Sequence, residues 1–284
     1  MEKIDRLGWV AGISFSAFGV RAGVRVNDPA ALERLLGYLP PGWKPSPSPV
    51  VERLYSVVMG CANLGARVRR FSLLYADRNK LVRTLEPDEV FEVLESDLQR
   101  HIAGAAPRRL FVHAGVVGWR GRAILIPGRS GSGKTTLVAE LVRAGATYYS
   151  DEYALLDPRG RVHPYARPLS IRGETSSTRP KKYPVEALGG RAGVATLPVG
   201  VVIVSEFRAG VTWRPRRLSL GNGALALLAH TVAARRRPRS ALSILRRVVL
   251  HAPVLNGVRG EAKGVVDSIL KRLDANVNGR SGHD

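Results

Sequence analysis

Eight consecutive residues, Gly128-Arg129-Ser130-Gly131-Ser132-Gly133-Lys134-Thr135, fit the spacing G-x-x-x-x-G-K-[ST]. That spacing wraps an anion. Successive backbone N–H groups turn inward, and the glycines give the turn its freedom and let phosphates come close. Lys134 is placed to reach the β- and γ-phosphates and the Thr135 hydroxyl to coordinate Mg²⁺, with Thr136 completing the nucleotide-binding set. At average residue frequencies such a string arises by chance in about one chain of this length in a hundred. A merely Gly/Ser-rich surface loop leaves the lysine unexplained. The chemistry indicated is binding of ATP with Mg²⁺ and phosphoryl transfer from it.

Two further features bear on that chemistry. Asp151-Glu152 follows a short apolar stretch directly after the helix that the loop opens. One carboxylate there can hold Mg²⁺ while the other accepts a proton from an attacking hydroxyl. Asp151 is read as the base and Glu152, beside Thr135, as the metal ligand; the reverse assignment stays open, and the bland alternative is an exposed acidic turn. His113 is the third candidate. A hairpin of Phe111 to Gly118 with Arg122 to Pro127, centred on Arg120, sets His113 opposite Pro127 at the entrance to the loop. A lone histidine in an apolar strand is more often a packed residue, and the register is what favours a catalytic role.

These side chains need an α/β frame to hold them. Ala123 to Ile126 reads as the strand entering the loop, and Lys134 to Ala144 as the helix leaving it, closed by Gly145. Thr147 to Ser150 reads as a strand returning beside the loop strand. Its carboxyl end then faces the crevice where open α/β sheets bind ligands. Further strands are expected at Tyr153 to Leu156, Pro168 to Arg172, Val199 to Val204 and Val211 to Pro215. Helices are expected at Gly223 to Ala234, Ser240 to Leu250 and Glu261 to Leu273. Gly173 to Thr196, rich in Gly, Ser, Pro and Lys, reads as a long mobile loop that orders on substrate through Arg179, Lys181 and Lys182. Ahead of this core, Ile13 to Val26 is strand-rich with Gly19 and Gly23 as bends, and Pro29 to Leu39 is a helix capped by Asp28. Pro45 to Pro49 is an extended connection. Val68 to Tyr75 and Lys80 to Leu85 form a hairpin, and Pro87 to Ala103 is an amphipathic helix. The division expected is a small α+β domain over residues 1–105, a nucleotide-binding domain over 106–275 and a frayed tail over 276–284.

The chain has 284 residues, 45% of them hydrophobic, enough for a sizeable core. Acids in Met1-Glu2-Lys3-Ile4-Asp5-Arg6, with no apolar run after them, argue against a signal peptide, and no stretch of about eighteen apolar residues suggests a membrane span. A soluble cytoplasmic protein is expected. One cysteine, Cys61, excludes an intramolecular disulfide framework and is read as a small buried hydrophobe. Lys and Arg number 44 against 23 Asp and Glu, a formal charge of +21 that favours anionic partners such as nucleotide or an acidic peptide. The aromatics that stack single-stranded bases are not interleaved with the basic residues, which argues against nucleic acid.

His113-Ala114-Gly115, Gly121 to Ile126, the loop Gly128 to Thr135, Arg143-Ala144-Gly145 and Asp151-Glu152 together resemble the catalytic domain of the HPr kinase/phosphorylase family, which shares its P-loop fold with phosphoenolpyruvate carboxykinase. In that family a histidine precedes the loop on the adjoining strand, matching His113. An acidic pair follows the loop helix, usually Asp-Asp, matching Asp151 and Glu152. Leu169-Ser170-Ile171-Arg172-Gly173 resembles the start of a family signature and then departs from it at Glu174. The resemblance implies an α/β, P-loop core of the HPr kinase/phosphoenolpyruvate carboxykinase type with a smaller α+β N-terminal domain. It implies a kinase that transfers the γ-phosphoryl group of Mg-ATP to a serine or threonine hydroxyl of a protein or peptide. Relatives of this kind include kinases that tailor peptide natural products such as lasso peptides, and family members are often hexameric, which points to a homo-oligomer. A small-molecule kinase on the same core and a non-catalytic nucleotide switch are the alternatives. His113, Lys134, Thr135 and Asp151 together argue against the switch.

Overall fold

The structure is a computed structural model that describes residues 3–60, 70–129, 131–171 and 181–278. The chain forms two compact units, Met1–Arg108 and Arg109–Asp284. Cys61 lies outside the described residues.

In the first unit β1 (Ala11–Ala17) and β2 (Val20–Val26) are joined through Phe18 and Gly19, at φ 53° and 84°. Two successive positive φ values match the right-handed twist of the paired strands. Gly23, expected as a bend, instead sits inside β2 opposite Ser14. α1 (Pro29–Leu36) starts where Asp28 accepts the Ala30 N–H at 3.0 Å, and Gly37 ends it short of the expected Leu39. β3 (Lys44–Pro45) pairs with β1, so the proline-rich connection begins as a sheet edge. β4 (Arg53–Val58), which the hydrophobic pattern did not reveal, runs parallel to β2. β5 (Ser72–Ala76) and β6 (Asn79–Thr84) are the expected hairpin, turning at Asp77-Arg78. α2 (Pro87–Ala105) buries Val90, Phe91, Leu94, Leu98 and Ile102 at helical spacing, and the sheet order is β3-β1-β2-β4-β5-β6.

The second unit opens with a hairpin of β7 (Leu110–Trp119) and β8 (Arg122–Pro127). Arg120 and Gly121 make its turn at φ 44° and 76°. Ala114, not His113, therefore faces Pro127, one residue from the expected register. α3 (Lys134–Arg143) follows, then β9 (Thr147–Ser150), β10 (Tyr153–Leu156), β11 (Arg161–His163), β12 (Leu169–Ile171) and β13 (Lys181–Tyr183). β9 pairs with β7 rather than with β8, which corrects the expectation that it lies beside the loop strand. β7 is antiparallel to both, so β9 still runs in the direction of β8 and ends at the loop edge.

β14 (Leu197–Phe207) runs parallel to β8, and β16 (Val254–Arg259) parallel to β14, with β15 (Arg216–Arg217) at the edge. β11 bonds both β10 and β14, so β7, β8, β14, β11 and β10 close into a ring. Outside it lie α4 (Leu220–Leu228), α5 (Pro238–His251) and α6 (Ala262–Asn278). Ile124 and Ile126 of β8 pack with Leu137, Val138 and Leu141 of α3 and Ile269 of α6. Ala123 and Leu125 pack on the other face with Leu227, Leu245 and Val248 of α4 and α5. The sheet is thus covered on both faces, the arrangement that a strand buried almost end to end requires. The result is a mixed α/β fold.

Four expectations fail here. Val211 to Pro215 is not a strand; β15 begins just after it. β16 was unforeseen, and the helix expected to run to Ala234 stops at Leu228. α6 continues to Asn278, into the stretch expected to fray; 279–284 lie outside the described residues. The expected long loop carries β13, a 3-10 turn at Val185–Leu188 with Val185 buried, and a bridge from Ala192 to Tyr148. Arg172 and residues 173–180, including Arg179, lie outside the described residues. Among the described residues no helix is long and apolar enough to cross a membrane.

Candidate functional site

β8 is anchored by Ile124, Leu125 and Ile126 and delivers the chain to Gly128, whose N–H donates to the His113 carbonyl at 3.3 Å. Gly131 and Gly133 stand at φ 81° and 80°, where a side chain would be strained. A Cβ on Gly128 would lie 2.6 Å from the Ser132 hydroxyl. The Ser132 N–H closes a turn on the Arg129 carbonyl at 3.2 Å. No side chain caps α3, so its first N–H groups and the positive end of its dipole are left for an anion. Ser130 lies outside the described residues, and Thr136 is exposed with no side-chain hydrogen bond among them.

Lys134 is only 6% exposed, and its ammonium donates to the Arg129 carbonyl at 2.7 Å. Burial holds that ammonium below the ordinary lysine range, while the charges of Glu152 and Asp151 pull it back up. A buried cation held by one carbonyl of the loop it serves is suited to exchange that oxygen for a phosphate oxygen.

The two carboxylates part company at the end of β9. The Ser150 hydroxyl accepts the N–H groups of Glu152 (3.1 Å) and Tyr153 (2.9 Å), which turns the chain sharply between them. Asp151 is 7% exposed and accepts three bonds: from the Thr135 hydroxyl at 3.2 Å, the Tyr148 hydroxyl at 3.0 Å and the Ser170 N–H at 3.2 Å. Burial raises the Asp151 carboxyl above its usual range despite those bonds, and the charge of Glu152 adds to the rise. No cation stands within ion-pair distance of it among the described residues. Glu152 is the opposite case. Its side chain is 47% exposed, and its carboxylate lies 3.2 Å from His113 Nε2. Burial raises its carboxyl, but the His113 hydrogen bond and the charges of His113, Lys134 and Arg167 outweigh burial and hold it below the usual range.

His113, Lys134, Thr135, Asp151 and Glu152 therefore meet at one edge of the sheet. The arrangement offers an anion cradle, a buried carboxylate touching a threonine hydroxyl, and an accessible carboxylate backed by an imidazole. No group of three or more His, Cys, Asp or Glu able to hold a metal by themselves occurs among the described residues. Nucleotide-bound Mg²⁺ needs only one or two protein oxygens, with phosphates and water completing its shell. Asp151 and Thr135, in contact at 3.2 Å, are two oxygen donors that could serve in that way.

Four residues of this neighbourhood carried no signal in the sequence. Tyr148 reads as apolar filler of β9, yet its hydroxyl bonds Asp151 and, at 2.8 Å, the Arg167 carbonyl. Arg167 itself acts on Glu152 through its charge. His230 enters from the turn after α4: β8 leaves the edge of β7 at Ala114, and residues 230–232 take up that edge beyond it. The His230 carbonyl accepts the His113 N–H at 2.7 Å. Burial, then the charges of His113, Lys134 and Arg129, hold the His230 ring below its usual range. Arg259 ends β16 and is 2% exposed. Its guanidinium spans the Gly133 carbonyl (2.9 Å), the Gly260 carbonyl (3.1 Å) and the Ser205 hydroxyl (3.3 Å), tying the loop to β14 and β16.

No family model matches the chain, and no curated protein matches it. Among solved structures, the Hpr(Ser) kinase/phosphatase from Coxiella burnetii is similar over 60% of this chain and 98% of that one, at 13% identity and a TM-score of 0.32. The likeness is a distant one of fold, and it assigns this chain neither an activity nor a substrate.

Proposed function

We propose that the second unit is an ATP-dependent phosphotransferase acting on a hydroxyl group, with a serine or threonine of a protein or peptide as the acceptor. One observation carries the reading: the glycine loop, the buried Lys134, the Thr135–Asp151 contact and the His113–Glu152 pair converge on one sheet edge although they come from β7, β8, α3 and the β9–β10 turn.

In this reading the loop N–H groups, the α3 terminus and Lys134 bind the phosphates and carry the charge that develops on them. Thr135 and Asp151 would hold Mg²⁺, which when bound neutralises the β- and γ-phosphate oxygens. The acceptor hydroxyl attacks the γ-phosphorus; the new O–P bond forms as the β–γ bridging bond breaks, and ADP leaves. Glu152 takes the hydroxyl proton. It is exposed where an acceptor can reach it and oriented by His113, whereas Asp151 is enclosed by three donors. This is the reverse of the assignment first favoured on sequence, and it rests on exposure and hydrogen bonding. A peptide acceptor is supported by the openness at Glu152, and an acidic one by the +21 charge. Tailoring of a ribosomal peptide product is the narrower form of the proposal.

The test is incubation of the full chain with Mg-ATP labelled in the γ-phosphate, against Ser/Thr peptides of graded acidity and a panel of small-molecule alcohols. Label on a peptide, lost in Glu152→Gln, supports the reading. Label only on small alcohols moves the acceptor class. Tight ATP binding without transfer to any of them favours a switch.

A further inference from the structure

A basic cavity lies at the other end of β8. A cavity of about 300 Å³ opens where the ring of strands closes, at the start of β8, the start of β14, the β10–β11 turn and the last turns of α5. Four arginines, Arg122, Arg159, Arg161 and Arg247, and His251 are among the residues that line it, with no Asp or Glu among them. Arg122 opens β8 and Gly128 follows its end, so at a rise of ~3.3 Å per residue the two sites stand about 20 Å apart.

The walls are built and their charge is uncompensated. Gly160, at φ 76°, lets the β10–β11 turn press against α5: a Cβ there would lie 3.3 Å from Val248. Arg247 donates to the Pro158 carbonyl at 2.8 Å and fixes the same turn. Arg161 donates to the Thr196 carbonyl at 2.9 Å. Both are held by neutral oxygens, so their charges stay available. Arg122 and Arg159 make no side-chain hydrogen bond or ion pair among the described residues. Asp157, at the start of the β10–β11 turn, is occupied: it accepts the N–H groups of Arg159 (2.8 Å) and Arg161 (3.0 Å) and pairs with His163 at 3.0 Å. A basic group in the last turn of a helix can serve merely to complement the helix dipole, which accounts for His251 and Arg247. It does not account for three arginines arriving from β8 and the β10–β11 turn.

We infer that this cavity binds a small organic phosphate, a phosphomonoester whose dianion meets the arginine forks while its organic part rests on Pro198, Val199 and Val248. Planar guanidinium groups match phosphate oxygens in pairs, and the volume is at the lower end of ligand cavities, suited to a small molecule rather than to a polymer. The site is independent of phosphotransfer at the loop.

Phenyl phosphate and inorganic phosphate are the probes, titrated by calorimetry into the full chain carrying Lys134→Ala, which removes the loop site from the readout. We expect phenyl phosphate to bind there more tightly than inorganic phosphate. Arg122→Gln with Arg159→Gln, which breaks no side-chain hydrogen bond or ion pair among the described residues, should weaken phenyl phosphate at least about tenfold while the melting temperature holds. Loss of binding in Lys134→Ala alone, or undiminished binding in the double glutamine variant, overturns the inference. So does a single-stranded oligonucleotide that displaces phenyl phosphate at a lower concentration than inorganic phosphate does, since the face would then be a nucleic-acid surface.

Discussion

Replacing Asp151 with asparagine, and separately Glu152 with glutamine, divides the site into its two halves. Asp151 collects three donors, and an asparagine keeps one acceptor oxygen. Set in the place of Oδ2, that oxygen retains Thr135 and Ser170. The amide NH₂ then faces Tyr148, whose hydroxyl can give its hydrogen to the Arg167 carbonyl at 2.8 Å and accept from the amide. No buried group is orphaned and a buried charge is removed. Stability should therefore change by no more than a single hydrogen bond is worth, about 1 kcal/mol, a melting shift of about 2–4 °C for a chain of this size. What is lost is the charge beside Thr135: Asp151→Asn should lose most of the affinity that Mg²⁺ adds to ATP binding. Glu152→Gln should leave that affinity nearly intact and slow transfer by roughly 10²–10⁴, the usual worth of a positioned base, or ~3–5 kcal/mol of barrier. Calorimetry with and without Mg²⁺, beside single-turnover transfer to whichever acceptor the labelling experiment identifies, reads both quantities. Asp151→Asn with an unchanged Mg²⁺ effect, together with Glu152→Gln at the wild-type rate, would refute the division.

Three further outcomes follow from the geometry. Lys134→Met should lower the melting temperature by no more than about 2–4 °C, because one bond to the Arg129 carbonyl goes while the burial of a charge is relieved; a large loss in calorimetric scanning would make Lys134 a structural residue. Arg259→Met should cost about 1–3 kcal/mol in urea unfolding and weaken ATP binding, since three polar groups around the loop lose a donor; unchanged stability and affinity would contradict the tie. For Asp157, burial raises the carboxyl, but the Arg161 N–H, His163 and the Arg159 N–H together bring it below its ordinary value of 3.8. A depressed acid stabilises the fold above 3.8 and loses that contribution as the pH falls through its lowered value. The gap between wild type and Asp157→Asn should therefore be widest above 3.8 and narrow on acidification, and a gap that widens in acid unfolding curves would oppose it.

The sequence exposed the parts of the site that lie within one short stretch of chain. The strand, glycine loop and helix declare themselves by local pattern, and the hairpin before them was misjudged by one residue because the turn is Arg120-Gly121 rather than a turn centred on Arg120. The partner of β9 was misjudged too. Direction survived the error because two antiparallel steps restore it, so Asp151 still reaches Thr135. The contributions from far along the chain stayed hidden. Arg259 and His230 reach the loop from over a hundred residues away, and their meaning depends on which strand edge is vacant. β16 offers only Val254 and Leu255 as a continuous apolar signal before Asn256 and Gly257. Exposure also had to be seen in three dimensions: adjacent carboxylates look interchangeable in sequence, and the turn at Ser150 is what buries one and opens the other.

A working nucleotide site at the loop is read out by titrating the full chain with ATP in a calorimeter, with and without Mg²⁺, beside the folded Lys134→Ala variant. We expect one ATP per chain, bound more tightly with Mg²⁺. In the variant, affinity should fall by about 2–5 kcal/mol, the usual loss when one partner of a buried charge pair is removed. Binding no tighter than about 1 mM in the wild type, or equal affinity in the variant, would contradict it.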